Sequence, residues 1–148
     1  MTSPETSPSY ADGGCLCGAL RYRVFGKPLV SSVCHCRSCR LASGAPAVGW
    51  IAFHVDDVHL LRGRPATRHS SPQVVRGFCA RCGTPVSYRH ADTPDVIELT
   101  TATLDHPELC PPTREVWLEH RVGWQPVDPA RTQHRHGSAE PPADRPGE

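Results

Sequence analysis

The chain has 148 residues, 38% of them hydrophobic, with a formal net charge of +1, so a single domain with a modest core is expected. Fifteen arginines and the single Lys27 are spread along the chain, which argues against a phosphate-tracking stripe and against nucleic acid as a partner. The longest mainly apolar stretch, residues 45–53, is broken by Pro46 and Gly49 and is too short to span a bilayer, so no membrane segment is expected.

In chain order, residues 1–12 are rich in Ser, Thr and Pro and are expected to be disordered. They lack the charged and apolar regions of a secretory signal. From residue 13 to about residue 125 the hydrophobic period is two, and the expected class is mainly β. Leu20, Tyr22 and Val24 alternate with Arg21 and Arg23, and residues 47–53, 74–78, 86–88, 96–101 and 116–118 are short runs rich in β-branched and aromatic residues. Turn signals separate them at Gly26-Lys27-Pro28, Gly63-Arg64-Pro65 and Asp92-Thr93-Pro94. The one helical suggestion lies at residues 38–43. Residues 126–148 carry five prolines and almost no aliphatic side chains, and are expected to form a disordered tail.

Seven of the eight cysteines fall into three clusters, Cys15-x-Cys17, Cys34-x-Cys36-x-x-Cys39 and Cys79-x-x-Cys82. Thiolates this close in sequence can aim at one ion about 2.3 Å away, whereas a disulfide between such neighbours is strained. Structural zinc takes four protein ligands and catalytic zinc three, so seven cysteines suggest two zinc ions per chain. Cys15 and Cys17 would combine with Cys79 and Cys82, leaving Cys34, Cys36 and Cys39 with an open position. Two zinc ions on seven thiolates would move the formal charge to about −2. An extracellular disulfide framework is the competing reading. It lacks a signal segment, and the cysteines point to a reducing, cytoplasmic compartment.

Gly18 follows Cys17 and Gly83 follows Cys82, as in zinc knuckles, where a positive φ turns backbone N–H groups toward the sulfurs. Strand alternation directs His35 away from Cys34 and Cys36, toward packing behind the site, although ligation by His35 would close it. An open zinc on three thiolates suits an incoming thiol, whose pKa it lowers, and can polarise a carbonyl oxygen. A second, purely structural zinc completed by histidine or water is the alternative. Arg37 and Arg40 are the candidates for holding a carboxylate of the thiol. Cys110 reads as a packed thiol, Trp50, Trp117 and Trp124 as core or sheet-surface aromatics, and His134 and His136 as tail residues able to bind metal adventitiously.

Three strings carry a resemblance: Gly14-Cys15-Leu16-Cys17-Gly18-Ala19-Leu20-Arg21-Tyr22; Cys34-His35-Cys36-Arg37-Ser38-Cys39-Arg40 with Ser43-Gly44-Ala45-Pro46; and Arg76-Gly77-Phe78-Cys79-Ala80-Arg81-Cys82-Gly83-Thr84-Pro85. With Leu104-Asp105-His106-Pro107-Glu108, Glu115-Val116-Trp117 and Trp124, the chain resembles the glutathione-dependent formaldehyde-activating (GFA) family over residues 13–125. The resemblance implies a β-tent fold of two small antiparallel sheets organised around zinc. It implies structural zinc on Cys15, Cys17, Cys79 and Cys82, and catalytic zinc on Cys34, Cys36 and Cys39. The implied activity is condensation of formaldehyde with glutathione, a carbon–sulfur lyase reaction in reverse, with a small thiol and an aldehyde as partners. The same domain occurs in centromere protein V, so a zinc-stabilised interaction module without catalysis is the alternative. Zinc storage or redox sensing through the trio is a third reading.

Overall fold

A computed structural model describes residues 9–137, and the disorder expected of residues 1–8 and 138–148 lies outside the described residues. Eleven strands and one short helix follow in chain order: β1 (Ser9–Gly14), β2 (Arg21–Phe25), β3 (Val30–Cys34), α1 (Arg37–Ser43), β4 (Val48–His54), β5 (Val58–Arg62), β6 (Ala66–Ser71), β7 (Val74–Phe78), β8 (Pro85–His90), β9 (Val96–Thr100), β10 (Arg114–Val116) and β11 (Thr132–Gln133).

They form two sheets, one of order β1-β2-β5 and one of order β11-β10-β3-β4-β9-β8-β7-β6. The mainly β, two-sheet architecture agrees with the expectation. Its one departure is at the edge of the larger sheet, where β10 runs parallel to both β3 and β11. The residues between β3 and β10 fill the rest of the sheet, so β10 arrives as a long-range crossover, not as a hairpin partner.

The alternation along β2 and β4 is what joins the sheets. Leu20, Tyr22 and Val24 from the smaller sheet meet Ile51 and Phe53 of β4, with Val86, Leu99 and Leu104, in one buried cluster. Side chains such as Ile51 and Phe53, fully removed from water, contribute about 2 to 3 kcal/mol each, and Phe53→Ala would cost about 3 to 5. The other face of β4 is also covered: Val48 and Trp50 pack with Cys34, Cys39 and Val116. Burial on both faces explains why β4 reads as a nearly continuous apolar run. Main-chain bonding between Asp105 and Asp12, and the Arg21–Asp105 ion pair, clamp the rim between the sheets.

Order extends beyond residues 13–125 at both ends, which corrects the expected boundaries. In β1, Tyr10 and Ala11 pack against the core and Asp12 pairs with Arg23. At the other end, β11 extends the larger sheet and His134 is buried. The tail composition is poor in aliphatics, but its order comes from main-chain bonds to β10 and from Arg131 reaching a buried carboxylate, Glu115. No described helix is long and apolar enough to cross a membrane.

Candidate metal centres

The first and third cysteine clusters occupy matching turns, β1–β2 and β7–β8, one from each sheet. Each turn closes with a glycine N–H donating to a cysteine carbonyl, Gly18 to Cys15 and Gly83 to Cys79, at φ values of 78° and 82°. Those left-handed backbones are the ones glycine permits without strain. Backbone N–H groups also point at sulfur, from Leu20 to Cys15 Sγ at 3.3 Å and from Cys82 to Cys79 Sγ at 3.4 Å.

The four sulfurs of Cys15, Cys17, Cys79 and Cys82 all lie within 4.8 Å of one another, with 3.6 Å between Cys15 and Cys17 and 3.8 Å between Cys17 and Cys79. Sulfurs bound at about 2.3 Å around a tetrahedral ion stand about 3.8 Å apart, so this donor set fits zinc. None of the eight cysteines is in a disulfide. The pairs come from loops 62 residues apart and from different sheets.

Cys34 ends β3, Cys36 caps α1 by accepting from the Cys39 N–H at 3.2 Å, and Cys39 lies in the first turn of the helix. Their three sulfurs also lie within 4.8 Å of one another. Cys34 and Cys39 are buried, while Cys36 is partly exposed. Thiols of Cys34 and Cys39 donating to Cys36 hold its pKa down to about 2, and Cys36 and Cys39 in turn raise that of Cys34. One negative sulfur thus keeps its neighbours protonated, and a cation is what allows all three to ionise together. Both groups can therefore hold a metal ion.

The trio opens on a cleft of about 800 Å³ walled by Arg76, Tyr88, Glu98, Trp117 and His120. Arg76 brings its guanidinium to 3.9 Å from Cys39 Sγ and lies 5.2 Å from the centre of the Tyr88 ring, which in turn packs on Trp50. Trp117 adopts a left-handed backbone, φ 57°, and stacks on His120. A second cleft of about 620 Å³ adjoins through Ser38, Cys39, Trp50 and Arg76, and adds Arg37, Arg68 and His69.

His35 points away from the trio, as strand alternation directs. It is fully buried and donates from Nε2 to Glu115 Oε1 at 2.6 Å, while Arg131 donates to Glu115 Oε2 at 2.7 Å. Its Nδ1 has no hydrogen-bond partner among the described residues. Of the two arginines singled out beside the trio, Arg37 lines the adjoining cleft and Arg40 lines neither; its Nε is buried without a partner. Cys110 is buried in the core and Trp50 is buried beside the trio, whereas Trp124 is exposed.

Residues 10–120 match the family model described as "Glutathione-dependent formaldehyde-activating enzyme". The chain belongs to that family. A Halomonas elongata protein bearing the name "Putative glutathione-dependent formaldehyde-activating enzyme" is 26% identical over 136 residues, spanning 84% of each chain. The crystal structure of a Rhodobacter sphaeroides protein superposes with a TM-score of 0.53 at 23% identity, covering 64% of this chain and 87% of that one. That likeness shows a shared fold. Arg131 and β11 lie beyond the matched GFA region, yet they complete the network behind the trio.

Arg76, Tyr88, Glu98, Glu115 and Arg131 were not singled out for the site by sequence reasoning. A signal existed for Glu98: it is the lone charge inside the apolar run Val96-Ile97-Glu98-Leu99. The string Glu115-Val116-Trp117 carries the family resemblance but no signal of a role for Glu115.

Proposed function

We propose that this protein is a zinc-dependent carbon–sulfur lyase-type enzyme that condenses a small thiol, glutathione or a similar one, with formaldehyde or another small aldehyde, or cleaves the adduct. The observation that carries the reading is the contrast between the two cysteine groups. Four sulfurs gather in the knuckles, the number a tetrahedral ion takes, while only three gather at the head of a cleft, where a fourth position would be free for substrate. Cys15, Cys17, Cys79 and Cys82 hold the structural ion, and Cys34, Cys36 and Cys39 the catalytic one.

Zinc on the trio would favour the thiolate of an incoming thiol and polarise a carbonyl oxygen. The chain itself supplies the surroundings. Trp117 and Tyr88 wall the cleft with aromatic faces, and Arg37, Arg68 and Arg76 line the adjoining one with charge that suits a carboxylate-bearing thiol. Eight free thiols are compatible with the reducing cytoplasm as its compartment.

Zinc per chain, measured on protein purified under reducing, metal-clean conditions, tests the reading together with a glutathione–formaldehyde assay. Two ions are expected, falling to one in a folded Cys36→Ser variant that has lost turnover. Retained turnover in that variant would sink the mechanism. Two ions without turnover on any thiol and aldehyde would favour a zinc-stabilised interaction module.

A further inference from the structure

The strand register brings three side chains into one row on the face of the larger sheet that forms the cleft. Arg76 of β7 lies opposite Tyr88 of β8, and Tyr88 lies opposite Glu98 of β9. On β4 the residue opposite Glu98 is Ala52, too small to cover the carboxylate. Directly opposed residues share a face, and all three side chains of the row line the cleft that the cysteine trio opens on.

Glu98 is half-buried and differs from the fully buried carboxylate Glu115. Glu115 is held by His35 and Arg131, whereas the Glu98 side chain forms no hydrogen bond or ion pair among the described residues. A half-buried carboxylate without a partner costs stability. Its position is accounted for by the cleft it faces.

We propose that Glu98 is the proton-transfer residue of this cleft, taking the proton of the thiol as it becomes a thiolate and delivering it to the aldehyde oxygen as the sulfur–carbon bond forms. The assignment rests on the thiol–aldehyde reading above. The S–H bond breaks and its proton moves to the carboxylate; the sulfur electron pair forms the S–C bond. The carbonyl π pair moves onto oxygen, which receives the proton from Glu98. The carboxylate is regenerated, nothing is oxidised or reduced, and cleavage of the adduct runs the same transfers in reverse.

The surroundings suit that task. Burial pushes the Glu98 carboxyl up to about 7, against the pull of Arg76. Both protonation states are then populated near neutrality, as a group that takes and returns a proton requires. The titratable and charged groups lining the cleft with it are Arg76 from β7, Tyr88, His90 and Asp92 from β8 and the turn after it, His120 from the loop after β10, and the trio from β3 and α1. Burial pushes Tyr88 up to about 12, so it stays neutral beside Glu98. Ala52 and Trp50 of β4 add no charge.

The test uses the zinc-loaded full chain with glutathione and formaldehyde as probes, over pH 5 to 9, against the uncatalysed rate. Glu98→Gln is expected to lower kcat/KM about 100-fold, to remove the pH limb centred near 7 and to keep two zinc ions per chain. Glu98→Asp is expected to recover part of the rate. Independently of turnover, the ¹³C signal of the wild-type carboxyl that is missing from Glu98→Gln should titrate near pH 7. Glu98→Gln within threefold of wild type with the same pH profile, or a carboxyl midpoint below about 5, would overturn the assignment and leave the parent reading intact. No acceleration by wild type would remove both.

Discussion

His35 and Glu115, 80 residues apart in sequence, meet at 2.6 Å with side chains 0% and 1% exposed. The contact ties the backbone between Cys34 and Cys36 to β10, and Arg131 completes it from the other side. Truncating Glu115 strands the fully buried His35 and takes from Arg131, 27% exposed, its shorter ion pair. Glu115→Ala is therefore expected to cost about 3 to 5 kcal/mol in urea unfolding. It should also weaken zinc at the trio more than at the knuckles in a chelator titration. Equal loss from both groups would show that the network does not serve the trio.

A chain stopped after residue 125 loses Arg131, β11 and the buried His134, whereas one stopped after residue 137 keeps all three. The shorter chain is expected to melt at least about 10 °C lower or to be insoluble, since a buried carboxylate is left without its cation. Equal melting temperatures would mean that the tail merely lies on the surface.

Cys82→Ser removes one corner of a four-sulfur set that joins the two sheets. The expected outcome is a misfolded or insoluble chain, because the binding energy of an ion held there would be folding energy. A soluble variant with an unchanged melting temperature would refute that role for the knuckle site.

Glu98 gives a pH dependence of stability with a definite sign. Its folded value near 7 lies above the ordinary 4.5, so between those pH values the folded state holds more protons than the unfolded state. Stability then falls as pH rises through that window, by about 3 kcal/mol at most, and is level above it. Glu98→Gln escapes the loss, so its advantage over wild type should grow from pH 5 to pH 8 in denaturant melts. A difference independent of pH would contradict the raised carboxyl.

Sequence patterning showed the strands whose faces differ. β2, β7, β8 and β9 alternate or are rich in branched and aromatic residues, and β4 is apolar because both its faces are covered. β5 and β6 escaped because they are sheet edges with mostly exposed side chains, Leu60 and Leu61 among them, so neither has an inside to mark. The run at residues 116–118 was placed two residues late, since Trp117 turns left-handed and ends β10 at Val116. All seven clustered cysteines were legible because chelation imposes short spacing. Arg76, Tyr88 and Glu98 were not, because strand register alone assembles them from three separate strands.

The two cysteine groups differ in how much chain each must gather, and that sets an order of events during synthesis. The trio spans residues 34–39, while the knuckles must close a span from Cys17 to Cys79. Closing the longer loop costs about 2 kcal/mol more in chain entropy. The trio can chelate as soon as its six residues are made, before any sheet exists. The knuckles must wait until Cys82 has emerged, so an ion held there would be the later of the two to bind.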